Sequence, residues 1–241
     1  RAERQGDHYI VNGQKTWTTL ASDADWMFAL VRTDKTVRKQ EGISFLLIPM
    51  DTPGITLRPI VNIDLQDEFY EVFFDDVRVP RDNVVGEVNK GWGMAKALLG
   101  FERIFLGSPR QASNALAQVD RMIRAYGETE NAIVMDRLVE LRMQLEDHEC
   151  LYSQVAAKLG RGEQLGPEVS FLKLNQTRLF QRITEFGLEI AGLDAARLHP
   201  EQDARGLHAA GPFLAARAAT IYGGTSEVQR NILAKSVLGL G

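Results

Sequence analysis

The sequence predicts an α+β fold in which an antiparallel β-sheet or β-barrel is followed by a C-terminal up-down four-helix bundle. Up to residue 88, short β-rich runs follow one another at close spacing, with polar, glycine and proline breaks between them. Beyond that point proline becomes rare and apolar residues recur at intervals of three and four, the period of an amphipathic helix. We therefore expect a β domain over residues 1–88 and a helical domain over residues 89–241.

The β-rich part begins close to the start of the chain. His8–Val11 leads into Asn12-Gly13, a dipeptide typical of two-residue hairpin turns, and Lys15–Thr19 resumes the strand. Because no helical stretch separates the runs that follow, we expect them to pair in antiparallel fashion. These further predicted strands are Trp26–Arg32, Ile43–Pro49, Ile55–Pro59 and Phe69–Phe74.

The helical part contains four long amphipathic stretches. Gly160–Gly162 and Leu198–Pro200 supply natural stops between them. Helices of this length with apolar stripes usually pack as a bundle. The predicted helices cover residues 91–126, 130–161, 166–197 and 212–238.

Composition excludes several classes of protein. Hydrophobic residues make up 44% and charged residues 25% of the chain, which excludes disordered and collagen-like sequences. The net charge of −4, without a basic block, gives no reason to expect a nucleic-acid partner. The apolar runs, such as that around Ile43–Ile48, are far too short to span a membrane. The single cysteine, Cys150, fits a reducing compartment. We therefore expect a cytoplasmic protein.

Common catalytic and binding motifs are absent from the sequence. It has neither a GxGxxG after a strand nor a GxxxxGK[ST] motif, so dinucleotide-fold and P-loop chemistry are not supported. The four histidines lack metal-ligand spacing, and we expect no metal site. Ser226 lies in the segment Gly224–Glu227, which is not a nucleophile elbow.

An aromatic residue and a hydroxyl stand two positions apart on a predicted strand. On a regular strand Trp17 and Thr19 lie on the same face, where an aromatic plane and a hydrogen-bond donor could back a planar cofactor. The alternative is a core tryptophan beside a half-buried threonine.

Glu102 has only apolar neighbours on its predicted helix. An acid in an apolar wall has a raised pKa, as a general base acting on a weak carbon acid requires. The alternative is an acid at the edge of the helix face. The neighbours at three and four positions to either side are Leu98, Leu99, Phe105 and Leu106.

Two glycines precede the last predicted helix. Thr225 or Ser226 is suited to cap that helix, and Ser226 with Gln229 could form a capping box. A glycine-lined helix start lets a cofactor or an anionic group approach closely. The same sequence also suits an ordinary turn between helices.

Five separated segments, taken in order, resemble the acyl-CoA dehydrogenase family, and the resemblance covers nearly the whole chain. The closest-looking branch is the large subunit of pimeloyl-CoA dehydrogenase. The segments are Asn12–Thr19, Val72–Pro80, Gly91–Gly93, Phe101–Arg103 and Tyr222–Arg230.

The resemblance implies the middle β domain and the C-terminal four-helix bundle of that family, without its N-terminal helical domain. This agrees with a chain that opens at Arg1 rather than at Met, which we expect to be part of a longer protein. It also implies FAD-dependent α,β-dehydrogenation of an acyl-CoA thioester to the trans-2-enoyl-CoA in fatty acid metabolism, with electrons passed to electron-transfer flavoprotein. A homo- or hetero-oligomer, a dimer or a tetramer, is expected.

The resemblance also assigns roles to residues. The α-proton base of many members follows the tyrosine of the last motif, a place held here by Gly223, which cannot accept a proton. A minority carry the base just before the arginine of the earlier helix, and Glu102 holds that place. The other assignments are Trp17, Thr18, Thr19, Thr225 and Glu227 at FAD, and Leu99, Arg103, Tyr222, Gly223 and Gly224 at the substrate.

Two stretches depart from the family pattern. Glu130–Met135 replaces an Arg-x-x-Phe-Gly stretch that reaches a neighbouring subunit's FAD, and Glu189–Asp194 replaces a glycine-rich stretch near the adenine. These departures favour a first alternative, a non-catalytic partner subunit of a heteromeric dehydrogenase, and this chain alone could then be inactive. A second alternative is an acyl-CoA oxidase-type flavoenzyme on the same fold.

Overall fold

The computed structural model describes residues 1–197 and 207–240, with residues 99–103 described by their backbone alone. The chain divides into two compact units, Arg1–Leu99 and Gly100–Gly241. The first contains the strands, and the second contains most of the helical residues.

The first unit contains seven strands in two antiparallel sheets. The sheets have the strand orders β1-β2-β6-β5 and β3-β4-β7. Within the described residues they do not close into a barrel, so the sheet is the alternative that is confirmed. The strands are β1 (Ala2–Gln5), β2 (His8–Thr19), β3 (Trp26–Arg32), β4 (Ile43–Pro49), β5 (Ile55–Ile60), β6 (Phe69–Pro80) and β7 (Val84–Val85).

Alternate residues of these strands form the core of the first unit. Every second side chain of a strand points to the same face, so a one-sided sheet buries one set and exposes the other. Each fully buried aliphatic or aromatic side chain contributes about 1.5–3 kcal/mol. The buried set includes Tyr9 and Val11 on β2, Leu46 and Ile48 on β4, and Val72, Phe74, Val77 and Val79 on β6.

The predicted hairpin at Asn12-Gly13 is wrong, because β2 runs straight through this dipeptide. Val11 pairs with Val77 and Gly13 with Phe74, so two residues of β6 bulge opposite Asn12. The Asn12 side chain explains this arrangement. Its amide donates to Asp76 Oδ1 at 2.8 Å, and its Oδ1 accepts the Asp76 backbone N–H at 3.0 Å. Asn12 therefore holds a bulge in the neighbouring strand rather than a turn of its own.

Six α-helices follow the strands. None of those described combines the length and the apolar character that crossing a bilayer requires. Their bounds are α1 (Gly91–Leu106), α2 (Arg110–Ala125), α3 (Ala132–Gly160), α4 (Glu168–Ala191), α5 (Ala210–Ala219) and α6 (Ser226–Ser236).

Helix α4 is the centre of the second unit. It packs against α2, α3, α5 and α6, so the predicted helical bundle is confirmed. The apolar stripe of α4 meets matching stripes of α2 and α3. The buried residues of this core include Leu116, Val119 and Ile123 on α2, Leu138 and Leu141 on α3, and Leu179, Ile183 and Phe186 on α4.

Two predicted helices are each two helices in the structure. The first breaks between α1 and α2 at Gly107–Pro109, because a proline ring excludes the helical conformation at the preceding residue. The last breaks between α5 and α6, where Gly223 and Gly224 have φ values of 61° and 92°. The third ends at Ala191 and continues only as a short 3₁₀ turn, while Leu198–Pro200 lies outside the described residues.

Candidate functional site

The first unit carries an open groove bordered by β2 and β3. Its volume is about 460 Å³. All three residues assigned to the flavin on β2 line this groove. They are joined there by the aromatic and apolar residues Trp26, Met27, Phe28 and Met50.

A second bulge, in β2 itself, turns Trp17 out of the core. Lys15 pairs with Val72 and Thr18 with Tyr70, so Thr16 and Trp17 together face a single residue of β6. Trp17 has a φ of 62° and is 62% exposed. The alternative of a core tryptophan is therefore wrong for this chain.

Trp17 and Thr19 lie beside the same residue of the neighbouring strand. The indole meets the Phe69 ring edge-on at 6.0 Å, and Thr19 is the register partner of Phe69. Directly opposed residues share a face of the sheet. The expectation that Trp17 and Thr19 share a face therefore agrees with the geometry, although the bulge and not a regular strand produces it.

Lys15 links β2 to β3 at one end of this groove. Its Nζ donates to the Leu30 carbonyl at 2.7 Å, and burial lowers its pKa. The two strands belong to different sheets, so this bond fixes their spacing. The motif that contains Trp17 thus also contains the residue that keeps the groove in shape.

In the second unit, the turn between α5 and α6 and the first turn of α6 together carry five of the assigned residues. Thr225 caps α6, its Oγ1 accepting the Val228 backbone N–H at 3.3 Å. The alternative capping box of Ser226 and Gln229 is wrong, because the Gln229 amide instead donates to the Gly223 and Gly224 carbonyls at 3.2 and 3.3 Å. The five are Tyr222, Gly223, Gly224, Thr225 and Glu227.

Glu227 is a fully exposed carboxylate in the first turn of α6. A hydrogen bond from its own backbone amide and one from Thr225 lower its pKa. A negative charge at this place also interacts favourably with the positive end of the helix dipole. Glu227 is therefore ionised at neutral pH.

Lys173, a buried lysine on α4, was not among the residues predicted from the sequence. Its Nζ donates to the Gly224 carbonyl and lies 6.0 Å from the centre of the Tyr222 ring. Burial lowers its pKa, and the nearby Glu227 opposes this effect. A lysine between Leu172 and Leu174, within an apolar helix pattern, was the available signal.

Glu102 lies on α1, one helical turn before Leu106. A Cβ atom at Gly223 would overlap the Leu106 Cδ1, so Leu106 contacts the glycine turn directly. Residues four apart share a helix face, and the helix register therefore places position 102 on the face that carries Leu106. The side chains of Leu99, Glu102 and Arg103 lie outside the described residues.

Besides the residues assigned on α1, the residues assigned from the sequence form two sets, one in each unit. Trp17, Thr18 and Thr19 line the groove of the first unit. The residues of the glycine turn are adjacent in the second. No group of three or more His, Cys, Asp or Glu side chains suited to a metal ion occurs among the residues that the structure describes.

Comparison with known proteins gives two family models that match consecutive parts of the chain. The model described as acyl-CoA dehydrogenase, middle domain, matches residues 1–77. The model described as acyl-CoA dehydrogenase, C-terminal domain, matches residues 89–238.

Named relatives and solved structures are similar over the whole chain. Acyl-CoA dehydrogenase IpdE1 of Mycobacterium tuberculosis is 36% identical, over 99% of this chain and 61% of its own length. The steroid ACAD Tcur3481-Tcur3483 has a TM-score of 0.88 at 28% identity, over 100% of this chain and 63% of its own. The ChsE4-ChsE5 complex from Mycobacterium tuberculosis has a TM-score of 0.84 at 30% identity, over 100% and 64%. The chain thus spans about three fifths of the length of these relatives.

Proposed function

The chain belongs to the acyl-CoA dehydrogenase family, and from that premise we propose that the full-length protein dehydrogenates acyl-CoA thioesters with FAD. The product is the trans-2-enoyl-CoA, and the electron acceptor is electron-transfer flavoprotein. The observation that carries the proposal is the pairing of Gly223 with Leu106, one helical turn after Glu102. This pairing supports an arrangement in which Glu102 lies on the face of α1 that contacts the glycine turn.

The groove of the first unit suits a flavin ring. An indole exposed over 62% of its surface offers a flat apolar face, and neighbouring threonine hydroxyls offer hydrogen bonds to a polar ring edge. Trp17, Thr18 and Thr19 would hold the flavin on this side. We also assign Thr225 and Glu227, at the start of α6, to flavin binding. When bound, the flavin accepts the hydride that leaves the β-carbon of the thioester.

We assign the removal of the α-proton to the Glu102 carboxylate. A carboxylate is suited to this step when apolar surroundings raise its pKa towards neutrality. Leu98 is four positions before Glu102, and Leu106 is four positions after it. Leu99, Arg103 and the glycine turn are assigned to holding the acyl-CoA.

The test of this assignment is Glu102→Gln in the full-length protein. Glutamine keeps the size of the side chain but cannot accept the proton, so we expect turnover with an artificial electron acceptor to fall by about 100-fold or more. The matched control is Glu146→Gln, an exposed acid on α3, which should leave turnover unchanged. Normal turnover in the Glu102 variant would contradict the assignment.

The thioesters tested should include both straight-chain and steroid-bearing acyl groups. One of the similar structures is a steroid ACAD. Leu106 fills the space beside Gly223 that a larger residue at position 223 would need. The motifs around these two residues therefore do not determine which acyl group the protein accepts. The thioester that is turned over fastest names the substrate class.

A second candidate function is that of a non-catalytic partner subunit in a heteromer. One similar structure is a complex of two proteins, ChsE4 and ChsE5. The two stretches that depart from the family pattern serve internal contacts here: Asn131 caps α3, and Asp194 accepts the Tyr126 hydroxyl at 2.9 Å. A protein that binds flavin only together with a partner, and that tolerates Glu102→Gln, would support this candidate. The cytoplasmic location stays a prediction.

A further inference from the structure

Lys173 is buried to an extent that is rare for a lysine. Only 2% of its surface is exposed, and it lies on α4 within the helical core. Burying an amine in such surroundings is costly unless the group finds a hydrogen-bond acceptor. Its contacts should therefore explain its presence.

Two buried side chains converge on the carbonyl groups of the glycine turn. Lys173 Nζ donates to the Gly224 oxygen from α4. Gln229, from α6, donates to the oxygens of Gly223 and Gly224 at 3.2 and 3.3 Å. Two consecutive carbonyls of an exposed turn are thus held towards the interior by donors from two helices.

The direction of these carbonyls also sets the direction of two amides. In a trans peptide the C=O and the following N–H point in opposite directions. With the Gly223 and Gly224 carbonyls drawn inward, the N–H groups of Gly224 and Thr225 point away from Lys173. Among the described residues neither amide donates a hydrogen bond within the chain. The turn therefore has two oriented donors that remain available to a ligand.

We propose that Lys173 is a positioning residue, which with Gln229 holds the Gly223-Gly224 turn so that its amides meet the flavin or the thioester in a fixed orientation. This inference rests on the proposed function, because it takes the turn to be part of the flavin and thioester site. Hydrogen-bond donors that are already held in place stabilise a transition state more than mobile donors do, because they need not reorganise during the reaction. A lysine reaches the turn from α4, whereas a shorter side chain would leave the Gly224 carbonyl with only its bond from Gln229.

The experiment compares three lysine variants of the full-length protein. Lys173→Met keeps the length of the side chain and removes the donor, whereas Lys173→Arg keeps a donor. The matched control is Lys158→Met, which removes a half-buried lysine that contacts Glu168 at 3.1 Å. If Lys173→Met does not fold, Gln229→Met removes the other donor to the same carbonyls and carries the same expectations.

Two measurements are made on each variant. The first is hydrogen exchange at the Ser226 amide, which donates to the Thr220 oxygen at 2.9 Å across the turn. We expect Lys173→Met to accelerate this exchange about tenfold. The second is the rate of flavin reduction at saturating thioester, which we expect to fall by about tenfold because the donors lose their orientation. In Lys173→Arg we expect the exchange rate and the reduction rate to be close to those of the wild type. Lys158→Met should change neither rate.

Each outcome decides a separate point. Unchanged exchange in Lys173→Met would overturn the inference, and so would faster exchange with a normal reduction rate. A wild-type protein that binds flavin but is not reduced by any thioester would refute the proposed function and the link to the reaction. The exchange measurement would still show whether Lys173 holds the turn.

Discussion

At the scale of single residues, the side chain of Leu106 and the absence of a side chain at Gly223 depend on each other. Gly223 has a φ of 61°, a conformation that residues with a Cβ rarely adopt, and Leu106 occupies the direction that its Cβ would take. An acid cannot stand at position 223 unless Leu106 moves. Leu106, whose side chain occupies this space, lies on the same helix as Glu102 and one turn after it.

Alanine substitution separates the two constraints on Gly223. We expect Gly223→Ala to lower the free energy of unfolding by about 1–2 kcal/mol for the left-handed backbone and by about 0.5–1.5 kcal/mol more for the change of the Leu106 side chain that the overlap requires. The matched control is Gly162→Ala, because Gly162 has a φ of 76° and nothing within 4 Å of an added Cβ. Chemical denaturation of the wild type and both variants measures the difference.

Equal losses of stability in the two alanine variants would contradict a steric role for Leu106. A further check adds Leu106→Ala to Gly223→Ala, which should recover the overlap part and leave the backbone part. The recovery is read relative to Leu106→Ala alone, since that change opens a cavity of its own.

At the scale of elements, His148 fixes the break between α1 and α2. It is fully buried on α3, and its Nε2 lies 2.9 Å from the Gly107 oxygen. Asn175 Nδ2 lies 3.1 Å from its Nδ1 and donates to it, so the proton of the neutral ring is on Nε2, which donates to Gly107. The end of the helix that carries Glu102 is thus held by a neutral imidazole.

This arrangement gives the stability of the protein a pH dependence. Burial lowers the pKa of His148 from 6.5, more than Gly107 and Glu149 raise it. The unfolded chain therefore binds a proton that the folded chain resists, so stability is lost as the pH falls below 6.5 towards the folded-state pKa. In that window we expect a loss of at most about 1.4 kcal/mol per pH unit. Above it His148 has no effect on the pH dependence.

The measurement is the free energy of unfolding of the wild type and of His148→Gln between pH 7 and pH 5. Glutamine can donate to Gly107 and accept from Asn175 but does not titrate. We expect a shallower pH dependence in this variant. Identical slopes would show that His148 does not carry the effect.

Sequence periodicity was sufficient to predict that most helices and strands exist, but not to predict their bulges and breaks. Both strand bulges depend on register with β6, and register is set by partners far along the chain. Asn12-Gly13 therefore suggested a turn, because its partner Asp76 is 64 residues away. The break at Gly107–Pro109 was readable from its proline, and the break at Gly223-Gly224 from its glycines. Because the apolar pattern continues across both breaks, a single helix was predicted in each case.

At the scale of the whole molecule, the motifs predicted candidate site residues but not the contacts that hold them. Strand alternation and the resemblance pointed to Trp17 and Thr19, and the predicted helix cap pointed to the glycine turn. Lys173 was not found, because a lysine in a helical pattern suggests a solvent-exposed face and only tertiary contacts show otherwise. The chemistry proposed for these residues is therefore to be tested on the full-length protein with its cofactor.

Whether the full-length protein is an acyl-CoA dehydrogenase is tested by its visible spectrum, recorded with and without oxygen as acyl-CoA thioesters are added. We predict a bound flavin whose absorption is bleached by one class of thioester without oxygen. Slow recovery of the flavin band in air supports a dehydrogenase, whereas rapid oxygen consumption would instead indicate an oxidase. A flavin that no thioester bleaches, or a protein without flavin, would contradict the proposal that the protein is an acyl-CoA dehydrogenase in its own right.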